Sequence, residues 1–349
     1  MSEFKVDRDE ISKKSPFVLD SSGRVIPKGI VYDPDFGSDH LPEYANEQDW
    51  LVYVPSPDGG LTVLKGGEMY KGTYFGSKSA YDEDIQIPII TFFYQHASFS
   101  NVIEYFPSIE EDLRNLAACM SKVAVYQHLS SEFDIDVNQY VLTELEYIFS
   151  VCRSLFDTLH CIASKSWETI ELFNGGQNPL PVKLTDMVLN EYEPIKESAL
   201  IEKYGLTEGL AEYYNELATR LSDIKYYRDS IHHYGGSFKI IFPLDEGLAV
   251  KTSLEPYSEF DAWTDEQINE SGLAPIWPFI SHVIGTTIGI MNELPSALFS
   301  RIYIPEELAP GYGVYVRGPH ITNLLRINEL IEEDPWGECL VSEIEKELG

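Results

Sequence analysis

Apolar positions recur at three- and four-residue intervals through most of residues 106–300, whereas the first hundred residues are irregular. Val141, Leu145, Ile148, Phe149, Cys152, Leu155, Phe156, Leu159, Ile162 and Ala163 trace one face of a long helix that begins near Asp136 and runs to about Trp167. Leu210, Tyr213, Tyr214, Leu217, Leu221 and Ile224 trace a second, with Thr207 as its cap. Ser108-Ile109-Glu110-Glu111, after Pro107, has the form of a capping box and opens a helix to about Ser131. A Pro/Gly/Asn-rich break from Asn174 to Pro181 separates the two long helices. Phe238 to Phe242 and Leu248 to Leu254 predict two short strands around Pro243-Leu244-Asp245-Glu246-Gly247. Thr264 with Gln267 predicts a further capped helix, kept short by Gly272 and Pro275. Pro278 opens a longer one through Val283, Ile284 and Ile288 to Met291, bent by Pro295. Ile321 to Ile331 is a last amphipathic segment before an acidic end.

The N-terminal part follows another rule. Trp50-Leu51-Val52-Tyr53-Val54 and Leu61-Thr62-Val63-Leu64 flank Pro55-Ser56-Pro57-Asp58-Gly59-Gly60, which predicts a hairpin with a long turn. Ile85 to Tyr94 is another β-branched and aromatic run, expected as strand. The glycines between Gly66 and Gly76 lack the Gly-Lys-Ser/Thr ending of a phosphate loop and read as loop. The fold class expected is therefore mainly α, with a small β-hairpin insertion and a strand-rich α+β N-terminal region. Residues 1–105 form that region, 106–300 the helical domain and 301–349 a C-terminal extension.

Charge changes the picture most. The chain has 57 acidic and 25 basic residues among 349, a formal net of -32. Such a field repels nucleic acid at long range, so any contact with RNA or DNA must come through a local basic pocket or a partner chain. Cys119, Cys152, Cys161 and Cys339 are scattered without a Cys-x-x-Cys pair, which suits reduced thiols better than disulfides or a metal cluster. Met1-Ser2-Glu3-Phe4-Lys5 leads into charged residues with no apolar leader, and the apolar stretch Ile276 to Met291 is too short to span a bilayer. A cytoplasmic protein with no membrane association is expected.

Candidate chemistry gathers at one place. Four residues beyond Ile224 the buried stripe of the second helix reaches Arg228, in the run Tyr227-Arg228-Asp229-Ser230-Ile231-His232-His233-Tyr234-Gly235-Gly236. An arginine on a core-facing stripe needs a partner or a cleft, because it does not shed its charge. Two histidines, which titrate near neutral pH, follow one turn later, and two glycines end the helix. On an ideal helix His232 shares the Arg228 face, while His233 is turned about 140° away unless the helix frays.

An arginine followed by a polar residue and then a histidine, at the end of a helix in a helical domain, resembles the HEPN superfamily (higher eukaryotes and prokaryotes nucleotide-binding). Arg228, Asp229 and His233 fill its signature with four residues between arginine and histidine, and the helix order over about residues 136–300 is similar. The resemblance implies a HEPN-like bundle and a metal-independent endoribonuclease, with neither cofactor nor metal. The candidate settings are a prokaryotic antiviral or stress-response system. It assigns His233, with His232 as second choice, to proton transfer. Arg228 would stabilise charge on the phosphorane, and Asp229 would orient either group. Arg153 and Asp157, one turn apart on the long helix, would support the motif. A homodimer pairing two motifs across a twofold axis is expected, with a regulatory protein partner acting through the flanking parts. Some relatives carry a modifiable tyrosine two residues after the histidine; from His233 that position is Gly235, while Tyr234 fits only if His232 is the motif histidine.

Bland readings stand beside these. Arg228 and Asp157 could pair to join the two helices in a non-catalytic scaffold that dimerises or binds protein or nucleotide. Arg153 and Asp157 could be an ordinary surface pair, and His160 a hydrogen-bonded histidine at the edge of the core. A metal on His232 and His233 lacks a third ligand nearby. Asp33-Pro34-Asp35 and Asp82-Glu83-Asp84 read as acidic loops.

Overall fold

The computed structural model describes strands 17–19, 25–27, 41–46, 49–55 and 61–66 at the level of the backbone. It describes residues 70–96, 102–133, 135–169, 178–233, 241–255, 257–299, 307 and 309–348 more fully, with side chains omitted at 169, 226–233, 347 and 348. The protein is mainly helical with small sheets, and it divides into two compact units.

The first unit comprises Met1–Pro107 and Phe299–Pro319. Phe17–Leu19 and Val25–Pro27 form a small antiparallel pair. The expected hairpin is present: Asp49–Pro55 pairs antiparallel with Leu61–Gly66, from Trp50 opposite Gly66 to Pro55 opposite Leu61. It belongs to a five-stranded sheet that continues through Leu41–Asn46 and Gly72–Gly76 to Gly313–Arg317. All neighbours are antiparallel except Leu41–Asn46 with Gly72–Gly76. The run from Ile85 to Tyr94 departs from its strand expectation. Only Ile85 makes a bridge, to Val316, and Pro88–Gln95 is a helix, α1. Pro88 stands in its first turn, where a missing N–H costs no helical bond, and Ile89, Ile90 and Phe93 are its buried face.

The second unit comprises Ser108–Leu298 and His320–Gly349. Helix α2 (Phe106–Phe133) starts before the expected capping box, with Pro107 inside its first turn. It buries Ile109, Leu113, Leu116, Ala117, Met120, Val123 and Ala124. Helix α3 (Asn138–Thr169) begins where Asp136 accepts the Asn138 N–H at 3.0 Å, and every residue of its predicted apolar face is buried. The break holds a short helix α4 (Leu184–Val188), a hairpin of Leu189–Asn190 and Glu193–Pro194, and α5 (Glu197–Tyr204), ended by left-handed Gly205. Helix α6 (Glu208–His233) is capped as expected: the Thr207 hydroxyl accepts the Leu210 N–H at 3.3 Å. Leu210, Tyr213, Tyr214, Leu217, Leu221 and Ile224 are all buried.

The insertion is larger than a hairpin. A hairpin is present but shifted: Phe242–Leu244 pairs with Gly247–Lys251, so Pro243 and Leu244, expected in the turn, are strand. Residues 238–240 of the expected first strand lie outside the described residues, and Leu273–Pro275 adds a third antiparallel strand. Gly272 and Pro275 therefore bound a strand, and the helix foreseen at Thr264 is a single 3-10 turn, Asp265–Gln267. Helix α7 (Ile276–Phe299) opens two residues before Pro278 and continues past Pro295. Residues 301–349 do not behave as one extension. Gly313–Arg317 closes the sheet of the first unit, whereas the following turns pack on the second. There Ile321–Arg326 is 3-10, leading into α8 (Ile327–Glu332) and α9 (Glu338–Leu348). The docking contacts are polar and specific. Asn323 donates to the Ala117 carbonyl at 3.0 Å and to Ser121 at 2.8 Å. Gln127 donates to the Trp336 carbonyl at 2.8 Å and accepts from the Trp277 indole at 3.0 Å. Gly337, at φ +71, lies so close to that indole that a Cβ would fall 2.2 Å from its nitrogen.

Among the described residues, no helix is long and apolar enough to cross a membrane.

Candidate functional site

The buried stripe of α6 brings the candidate motif to its helix end. The backbone is helical through His233, so Arg228, Asp229, His232 and His233 lie on one uninterrupted helix. The side chains of these four lie outside the described residues, as does the proposed Arg228–Asp157 pairing. What is described is the ground one turn before them. Ile224 and Lys225 line a cleft of about 400 Å³ together with Arg153 of α3, Thr185 and Asp186 of α4, and Leu189 and Glu191 of the small hairpin. The cleft is thus formed where the two long helices meet the break between them.

Arg153 and Asp157 form the expected pair. Nε donates to Oδ2 and a terminal nitrogen to Oδ1, both at 2.9 Å, which is the two-pronged geometry that suits guanidinium and carboxylate. The Arg153 side chain is 18% exposed and that of Asp157 49%, so the pair lies at the surface end of the helix face. Lys225 donates to the Glu191 carbonyl at 2.6 Å and stands 4.2 Å from the centre of the Tyr192 ring. Ser222 donates to the Tyr192 carbonyl, and Asn215 to that of Ile195 at 3.3 Å. Three side chains of α6 therefore clasp the main chain of the hairpin and its exit, while Glu191 takes a left-handed turn at φ 61.

Behind this surface is His160, which is 2% exposed. Its Nε2–H donates to the Pro181 carbonyl at 2.7 Å, and its Nδ1 accepts from the Tyr214 hydroxyl at 3.0 Å. Both ring nitrogens are satisfied by a neutral imidazole. Burial holds the group below its ordinary pKa, against smaller opposing contributions from the Pro181 hydrogen bond and Asp157. His160 is a hydrogen-bonded core histidine. Further along α6, Arg220 lies 3.6 Å from Asp223. Burial raises the Asp223 pKa against that contact, and burial followed by Arg220 lowers that of His282 on α7.

One group has metal-ligand residue types. Donor atoms of Glu329, Asp334 and Cys339 lie within 4.8 Å of one another. The Asp334 oxygens, however, accept the Glu338 N–H at 2.9 Å and the Cys339 N–H at 2.7 Å, as a cap for α9 does. Burial, then the hydrogen bond to Asp334, pushes the Cys339 thiol up to about 12. The arrangement is a helix cap.

Sequence reasoning reached Arg153 and Asp157 through their spacing but missed Thr185, Asp186, Glu191 and Lys225. Lys225 had a signal, standing three residues before Arg228 on the same helix. Thr185 and Asp186 sit in a five-residue helix and Glu191 in the turn between two two-residue strands, all too short for any periodicity. Comparison with protein-family models, with curated proteins and with solved structures returned no match.

Proposed function

We propose that this protein is a HEPN-like, metal-independent endoribonuclease of a prokaryotic defence or stress system, acting in the cytoplasm as a homodimer. The observation that carries the reading is the position of Arg228 and His233 at the end of α6, one turn beyond the cleft that Arg153, Ile224 and Lys225 line. The helix order adds support: the long α3, a variable break, α6 ending in the motif, and α7 as the following helix. In this reading the RNA 2′-hydroxyl attacks the adjacent phosphate, and His233 moves a proton at the attacking or leaving oxygen. Arg228 offsets the charge gathered on the phosphorane, and Asp229 orients its neighbours. His232 is the second choice for the proton-transfer role. Arg153, held by Asp157, keeps a fixed guanidinium beside the motif helix.

A second reading has its own support. With a net charge of -32 and the carboxylates of Asp186 and Glu191 in the cleft, the surface suits a scaffold that binds protein better than it suits RNA. The two separate on one experiment. The purified protein is incubated with a fluorophore-quencher RNA in EDTA, beside Arg228→Ala and His233→Ala variants whose melting curves match the wild type. The nuclease reading expects cleavage that falls roughly 100-fold or more in each variant. Absence of cleavage by the wild type, or equal cleavage by all three, leaves the scaffold.

A further inference from the structure

The cleft is more selective than its mixed lining suggests, because among the described residues its cations are already engaged and its acids are not. Arg153 gives two donors to Asp157. Lys225 is held by the Glu191 carbonyl and the Tyr192 ring. By contrast, the carboxylates of Asp186 and Glu191 and the hydroxyl of Thr185 have no hydrogen-bond or ion-pair partner among the described residues. Among the described residues the groups left to receive a ligand are therefore two carboxylates and a hydroxyl that can accept or donate, around an apolar floor of Leu189 and Ile224. The wall is also set before any ligand arrives. Asn215, Ser222 and Lys225 fix the hairpin carbonyls, and the Ile195 N–H donates to the Val188 carbonyl at 2.8 Å.

We infer that this cleft is a socket for a basic side chain, an arginine or lysine presented by a polypeptide partner. A long aliphatic stem ending in a charged head matches the two surfaces on offer: the stem covers Leu189 and Ile224 while the head reaches the carboxylates. A bare metal ion gains nothing from the apolar floor, and among the described residues a phosphate meets two carboxylates against the single unneutralised cation of Lys225. The long-range field of a chain at -32 steers the same class of partner toward the surface. Since the socket lies one turn before Arg228 on α6, its occupant sits beside the candidate motif.

The test uses the full chain and a fluorescein-labelled hexa-arginine peptide, read by anisotropy at about 150 mM salt, where long-range attraction is largely screened. Asp186→Asn/Glu191→Gln keeps the shapes of both side chains and should weaken binding about tenfold. Glu197→Gln/Glu202→Gln removes the same charge from exposed positions of α5 and should change it less than about twofold. Equal weakening by the two variants would mean diffuse charge attraction and overturn the socket. So would undetectable binding to the wild type, or spermidine competing as well as the peptide. A hexa-glutamate peptide should not bind.

Discussion

Two arginine–aspartate pairs in this protein share a two-pronged geometry and differ in almost everything else. In the first unit Arg317 donates to Asp84 at 2.8 and 2.6 Å, across 233 residues of chain. The Asp84 side chain is 1% exposed and that of Arg317 10%. Asp84 also accepts from the Tyr74 hydroxyl at 2.6 Å and the Tyr81 N–H at 3.0 Å, and Arg317 lies 4.0 Å over the Tyr81 ring. In the second unit Arg153 and Asp157 are four residues apart and Asp157 is half exposed. In the first pair, burial removes water as an alternative partner, so each charge depends on the other and on the tyrosines that complete the network. In the second, water reaches the half-exposed Asp157, so its carboxylate does not depend on Arg153 alone, which leaves the pair freer to adapt. Burial, more than distance or angle, separates a structural ion pair from an adaptable one.

The largest effect should come from breaking the buried pair. Arg317→Ala strands a carboxylate in the interior and should destabilise the first unit by about 3–5 kcal/mol. Hydrogen exchange of the Gly313–Arg317 strand reads this directly, since that strand is joined to Gly72–Gly76 along the sheet edge. Replacing both charges while keeping an acceptor, Arg317→Met with Asp84→Asn, should recover part of the loss, because the amide oxygen still accepts from Tyr74 and the Tyr81 N–H. A cost below about 1 kcal/mol for Arg317→Ala would put this pair in the same class as Arg153–Asp157 and end the comparison.

The contrast also explains what the sequence revealed. The half-exposed pair was legible because four residues on a helix make neighbours, and the faces of α3 and α6 were legible because their apolar period is sustained over many turns. The buried pair was not, for nothing local to Asp82-Glu83-Asp84 announces a partner on the last strand of the sheet. That segment read as an acidic loop, yet its third residue is buried. The same limit hid the strand Leu273–Pro275, whose identity depends on Gly247–Lys251 beside it, and turned Ile85 to Tyr94 into a misread strand until Pro88 set the helix. The cleft was half legible: the side from α3 and α6 was foreseen through Arg153, while the hairpin side exists only because α6 clasps it.

An intermediate effect tests burial on the site's own helix. His160 is held neutral by its hydrogen bonds and by burial, so its folded pKa lies below the ordinary 6.5. The unfolded chain then binds the proton first. The stability contributed by neutral His160 is fully present above pH 6.5 and is lost as the pH falls from there to the folded pKa. The slope in that window is at most about 1.4 kcal/mol per pH unit. Urea titrations of wild type and His160→Gln between pH 8 and pH 5 isolate the term, because other carboxylates titrate alike in both. The gap between the two proteins should narrow as the pH falls. A constant gap would mean that His160 titrates alike in the folded and unfolded chain, and a gap that widens as the pH falls would mean that the fold holds it protonated; either outcome contradicts its neutral hydrogen-bond arrangement.

The smallest effect on stability belongs to the exposed pair, and there the functional readouts matter more. Arg153→Ala should cost less than about 1 kcal/mol, and a double-mutant cycle with Asp157→Ala should give a coupling of roughly 0.5 kcal/mol. RNA cleavage should nevertheless fall in Arg153→Ala if a fixed guanidinium beside α6 supports the motif. Binding of hexa-arginine should move the opposite way. Without Arg153, Asp157 joins Asp186 and Glu191 as an unpaired carboxylate near the cleft, and the peptide should bind about two- to threefold tighter. Such a divergence between near-neutral stability, weaker cleavage and stronger peptide binding cannot arise from misfolding, which would lower all three together. A stability loss of 3 kcal/mol or more would instead make Arg153–Asp157 a second buried-type lock, and the cleft would lose its claim to be an adaptable surface.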